Sequence, residues 1–126
     1  MTYITRSLSR ETLQKDLYIK KKFSVGVNNT PWIPKVNILI TKIVCELKDT
    51  ASGSGSSVIR IYKNYGTASQ ETIFDAVFSE NQISDETNAL FSYSLPAGSE
   101  VVYGITSVTS NDPGGEAIIS FLYENE

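Results

Sequence analysis

The chain has 126 residues and 13.9 kDa, 40% of them apolar, with one cysteine, no histidine and eleven basic against fourteen acidic side chains. Such a chain makes one domain around a single core, and Cys45 has no partner for an internal disulfide, a zinc site or a Cys-His nucleophile. A net charge of -3 gives no overall pull toward nucleic acid or an anionic membrane, and no apolar run approaches the ~18 to 20 residues of a membrane span.

The charge is unevenly placed. Residues 1–22 hold six bases (Arg6, Arg10, Lys15, Lys20, Lys21 and Lys22) against two acids, a balance of +4, whereas the remainder holds five against twelve, a balance of -7. A basic leading segment therefore precedes an acidic body. Residues 1–16 are mostly polar, and Tyr3, Ile4, Leu8 and Leu13 show no sustained period. An extended N-terminal arm fits them, and so does a short helix capped by Ser7 or Ser9. The first twenty residues lack a secretory h-region, so synthesis without a cleaved signal is expected, and a lone cysteine suits folding in a reducing cytoplasm.

From Leu17 onward the pattern is that of β-strands separated by turns. Leu17, Ile19, Phe23, Val25 and Val27 share one face of a first strand, with Lys21 out of phase as an exposed end, a bulge or an inward charge. A turn at Asn28-Asn29-Thr30-Pro31 precedes Trp32. Val36, Ile38 and Ile40 then alternate on even numbers, but Ile43, Cys45 and Leu47 alternate on odd ones, so the chain must bulge, bend or change sheets near Thr41. Residues 48–57 (KDTASGSGSS) are expected as an exposed loop, and residues 58–63 (VIRIYK) as a strand ended by Asn64-Tyr65-Gly66.

Residues 73–78 (IFDAVF) read as a short strand near an edge, or as helix; residues 81–88 read as a polar connection. Ala89, Phe91, Tyr93 and Leu95 alternate, Leu95-Pro96-Ala97-Gly98 turns, Val101, Tyr103 and Ile105 share the face of another strand, and Ala117, Ile119, Phe121 and Tyr123 share that of a last one after a turn at residues 110–115. About eight antiparallel strands without a βαβ rhythm predict an all-β fold: an antiparallel, jelly-roll-like β-sandwich over residues 17–126 behind an arm of residues 1–16.

Few motifs suggest chemistry. The Gly53-Ser54-Gly55 loop leads into a strand rather than the helix a phosphate loop requires, so a plain flexible loop is expected. Pro31-Trp32-Ile33-Pro34 has P-x-x-P spacing, but its setting favours a rigid turn tucking the tryptophan against the sandwich; an exposed Trp32 would instead anchor a partner or a sugar ring. Asn28-Asn29-Thr30 matches a glycosylation acceptor, expected to be unused without a signal peptide. The carboxylates fall mostly in loops with no spacing that selects an acid–base pair, so no enzyme, cofactor or metal is expected.

Residues 40–47 (ITKIVCEL), a small-residue loop and residues 55–64 (GSSVIRIYKN) together resemble a segment of tailed-bacteriophage virion proteins, in which an I-T-x-I-x-x-x-L strand leads through a T-G-S-like loop to a strand ending K-N-G. Residues 95–102 (LPAGSEVV) stand where those proteins place a kGD turn and strand. Residues 106–121 match their V-G-S-x-x-x-G-x-x-L-x-V ending, so the resemblance spans about two-thirds of the chain. It departs from the pattern at Tyr65, inserted before Gly66, and at Gly98-Ser99-Glu100.

The resemblance implies a β-sandwich virion structural protein: a capsid decoration or cement protein, a head fibre or a tail-fibre module. On this basis the expected protein is a decoration protein on the capsid exterior. It binds the major capsid protein as a trimer, with Arg6, Arg10, Lys15, Lys20, Lys21, Lys22 and Trp32 as docking residues and neither nucleic acid nor membrane as partner. The alternative is a receptor-binding fibre module for host surface glycans, its site built from residues 48–57 and 109–115 with tyrosine platforms.

Overall fold

The computed structural model describes residues 11–126. Nine strands follow in chain order: β1 (Leu13–Lys22), β2 (Gly26–Val27), β3 (Ile38–Asp49), β4 (Ser57–Lys63), β5 (Glu71–Phe78), β6 (Ser84–Glu86), β7 (Tyr93–Leu95), β8 (Val101–Ser107) and β9 (Gly115–Asn125). There is no helix among the described residues. One antiparallel sheet runs β1-β9-β3-β6, with β7 paired to the other end of β3; the second runs β2-β8-β4-β5. Only β4 to β5 and β6 to β7 stay within a sheet. Every other connection crosses between sheets, which is the winding of a jelly-roll sandwich.

Period-two alternation explains which side chains meet in the middle. Ile38, Ile40, Ile43, Cys45 and Leu47 of β3, Ala117, Ile119 and Phe121 of β9, and Ile19 of β1 pack against Ile59 and Ile61 of β4, Ile73, Ala76 and Phe78 of β5, and Val101 and Ile105 of β8. Phe78 and Phe121 are wholly buried, each contributing about 1.5 to 3 kcal/mol over an exposed ring. The phase change at Thr41 is a bulge between Ile40 and Lys42 in the ladder with β9, and the chain stays in the same sheet.

Several boundaries depart from the sequence pattern. The first strand begins at Leu13, because Leu13, Gln14, Lys15 and Asp16 pair with Tyr123, Leu122, Phe121 and Ser120; these four residues therefore belong to the sandwich rather than to an arm. The helix alternative ending at Leu13 lies mostly outside the described residues. Alternation through Val27 is not one strand: a bulge between Ile19 and Lys22 takes up Lys21, and the chain then crosses to the second sheet at Gly26, whose φ of 151° suits a residue without a Cβ. Residues 71–78 form an edge strand.

Residues 81–88 contain β6, a strand without one apolar side chain, held by Val44, Cys45 and Glu46 of β3. Residues 89–92 lie outside any strand, so only Tyr93 and Leu95 continue the expected alternation. The loop before β4 is not wholly exposed, since Ala51 and Ser57 are buried.

Candidate docking surface

The two sheets do not close equally along their two long sides. On one side the edge strands β1 and β2 leave a cleft of about 250 Å³ lined by Ile19, Phe23, Val27 and Ile105, with Lys21 and Lys22 also on its wall. A second hollow of about 260 Å³ adjoins it, lined by Leu17, Tyr18, Lys20 and Asn28. Tyr103 borders both, its hydroxyl accepting from Asn28 Nδ2 at 2.9 Å. The cleft arises because residues 17–27 are divided between sheets. Alternation alone carries no signal for that, so Tyr18, Phe23 and Tyr103 are site residues the sequence did not single out.

The structure gathers four of the expected docking lysines on this side, each in a different setting. Lys15 stands opposite Phe121 and so on the core-facing side of β1; a half-buried inward charge on an edge strand discourages another strand from adding there. Lys20 and Lys21 are exposed and enter no ion pair among the described residues. Lys22 is engaged by Asp112 at 2.8 Å, which raises the lysine pKa and lowers that of the carboxylate, the hydrogen bond between them being the main cause of both shifts. Arg6 and Arg10 lie outside the described residues.

Trp32 is not an exposed anchor. Its backbone bridges Val101 through two 2.9 Å hydrogen bonds, and its half-buried ring packs at 5.1 Å from Phe121 and 5.5 Å from Tyr123. The ring is tucked against the sandwich as expected, but residues 31–34 form no turn: Trp32 is held between its flanking prolines by the single bridge to Val101, and the chain bends only at residues 35–36.

The loops of residues 48–57 and 109–115 do meet at one end of the sandwich, but they bond chiefly to each other. Ser52 bridges Asp112, Ser54 N donates to Ser110 Oγ at 2.8 Å, and Ser57 Oγ donates to the Pro113 carbonyl at 2.7 Å. Neither loop contains a tyrosine. The strongly shifted acidic groups are structural. Burial pushes the Cys45 thiol up to about 12, and burial with a hydrogen bond to Glu71 raises the Tyr93 hydroxyl. No group of three or more metal-binding side chains comes together among the described residues, and no helix of theirs is long and apolar enough to cross a membrane.

No protein-family model matches the chain, and no curated protein sequence does. Among solved structures it is similar to a chain of the acidic stable capsid of Helicobacter pylori bacteriophage KHP30, with a TM-score of 0.59 and 13% identity over 92% of this chain and 93% of that one. A chain from the disulfide-linked pili of Bacillus endospore appendages aligns at a TM-score of 0.43 and 12% identity, over 93% of this chain and 89% of that one. The KHP30 likeness is one of fold.

Proposed function

We propose that the protein is a bacteriophage virion structural protein that decorates a capsid exterior, three copies standing around a local threefold axis and binding the major capsid protein. The observation that carries this reading is the end-to-end fold likeness to a chain of a phage capsid structure, over 92% of this chain and 93% of that one. The mechanism is binding alone. The basic leading segment, with Arg6 and Arg10, reaches over acidic surfaces of neighbouring shell proteins, while Lys15 stays in the sandwich as part of β1. Each contact at 4 Å is worth ~1 kcal/mol in water, and several together add affinity and steer encounter. The acidic body repels phosphate, which favours a protein partner over nucleic acid. Trp32 serves by packing, not by docking.

Mixing the labelled protein with purified expanded capsids tests the reading. Saturable binding is expected, with deletion of residues 1–10 or the pair Arg6→Glu and Arg10→Glu weakening it at least about tenfold, more so at low salt. Absence of saturable binding overturns the decoration role. A glycan-array signal without capsid binding assigns the protein instead to a receptor-binding fibre module.

A further inference from the structure

The long side of the sandwich opposite the cleft has a contrary character. There β5 is stitched across the gap to β6 and β7: Asp85, opposite Cys45 and so on the inner side of β6, accepts the Val77 amide at 2.8 Å, and the Tyr93 hydroxyl of β7 donates to Glu71. This side carries Glu71, Asp75, Asp85 and Glu86, with Glu80 at its end accepting the Gly53 amide at 3.0 Å; against them stand Lys63, opposite Glu71, Arg60, forked onto Asp75 at 2.8 and 2.9 Å, and Lys42, at 2.9 Å from Glu86. Among these acids stand apolar side chains in water. Ile83 is 60% exposed, and Leu90, between β6 and β7, is 93% exposed. Leu90 is held there by its turn, its amide donating to Asn88 Oδ1 at 3.0 Å and the Phe91 amide to the Asn88 carbonyl at 3.1 Å.

The cleft on the β1/β2 side therefore needs an acidic partner with projecting apolar side chains, and the molecule's own far side is such a surface. Strand-by-strand extension of β1 is opposed by inward Lys15 and by the bulge at Lys21, so a partner must engage through side chains. We propose that the β1/β2 side of one copy receives the β5/β6 side of a second copy. Leu90 enters the cleft over Ile19, Phe23 and Ile105, while Lys20 and Lys21 meet the carboxylates that flank it on the β5/β6 side. Because the two surfaces differ, the contact is head-to-tail, and a ring closes when the rotation between copies allows it. The inference builds on the trimer of the decoration reading by naming its two faces, and free protein without capsids tests it separately.

Sedimentation velocity of the purified protein at about 100 μM, where contacts of transient size populate, is expected to show a concentration-dependent oligomer. Leu90→Ser spoils only the projecting side, and Lys20→Glu with Lys21→Glu spoils only the receiving side; all three positions are exposed, so folding is retained and circular dichroism checks it. Each variant alone should weaken association at least about tenfold. Mixed in equal amounts they should form a dimer and nothing larger, since each keeps one intact side. A monomeric wild type, unchanged association in either variant, or a mixture that stays monomeric overturns the proposal, whatever the result with capsids.

Discussion

Lys22 Nζ lies 2.8 Å from Oδ1 and 3.0 Å from Oδ2 of Asp112, a residue ninety positions further along the chain, and so ties the end of β1 to the turn that leads into β9. Asp112 Oδ1 also accepts the Gly114 amide at 2.9 Å, and the Gly114 carbonyl accepts the Phe23 amide at 2.9 Å. The Asp112 carboxyl is held below its ordinary value of 3.8 by Lys22 first and Gly114 second. A lowered folded value means the stabilisation is complete above 3.8 and is lost as pH falls through the folded value. Lys22, raised above 10.5, gives the converse at the alkaline end, where stabilisation is lost as pH rises through its folded value. Protection factors of the Phe23 and Gly114 amides should thus fall in acid before those of the β3–β9 ladder do. Equal loss at both places would disprove the local staple.

Gly115 marks the closest approach of β1 and β9. A Cβ there would stand 2.6 Å from Lys22 Cα and 2.8 Å from the Lys21 carbonyl oxygen, both backbone atoms that can yield only if the bulge moves. Gly115→Ala is expected to destabilise the protein by about 1 to 3 kcal/mol through overpacking. Chemical denaturation measures the loss, and faster exchange in β1 than in β4 locates it. An unchanged midpoint would mean that the bulge slides freely.

Apolar alternation reports which residues share a face, but it does not report which sheet receives them. Ile38 and Ile40 followed by Ile43, Cys45 and Leu47 disclose the bulge at Thr41, because both sets need the same interior. Residues 17–27 alternate nearly as well, yet Ile19 belongs to one sheet and Val27 to the other. Ser84-Asp85-Glu86 has no apolar signal at all; its strand exists because β3 presents backbone groups to it. Ala89 alternates with Phe91 as a strand would, but the Asn88 turn turns Leu90 out to solvent. The same limit governs the candidate surface. Lysines 15 and 20 to 22 are consecutive enough to be seen as a basic segment, whereas Glu71, Asp75, Glu80, Asp85 and Glu86 become one acidic side only when β5 crosses to β6.

Trp32 is the sole tryptophan, so its emission reports on the packing of one place. The half-buried ring covers Phe121 and Tyr123, and its loss removes both contacts while the Val101 bridge can remain. Trp32→Ala should cost about 2 to 4 kcal/mol, below the full range for a wholly buried ring, and Trp32→Phe about 1 kcal/mol. In the wild type the emission should shift to the red in one step with the loss of β-sheet circular dichroism. An earlier emission change would show that the segment around Trp32 detaches before the sandwich opens.

Cys45 is fully buried between neighbours on β3, β9 and β6, and burial first, then the Asp85 charge, pushes its thiol from an ordinary 9.0 to about 12. The folded thiol stays protonated where the unfolded one has ionised. Unfolding therefore releases a proton above pH 9.0, and stability must fall as pH rises from 9.0 toward about 12. The limiting slope for one group is about 1.4 kcal/mol per pH unit. Cys45→Ala removes this group, so over the first unit above 9.0 the wild type should lose several tenths of a kcal/mol or more that the variant keeps. A thiol reagent gives the kinetic counterpart, since modification should proceed only through opening of the sandwich and slow in step with added stability. Rapid labelling of the native protein would contradict the closed core at β3.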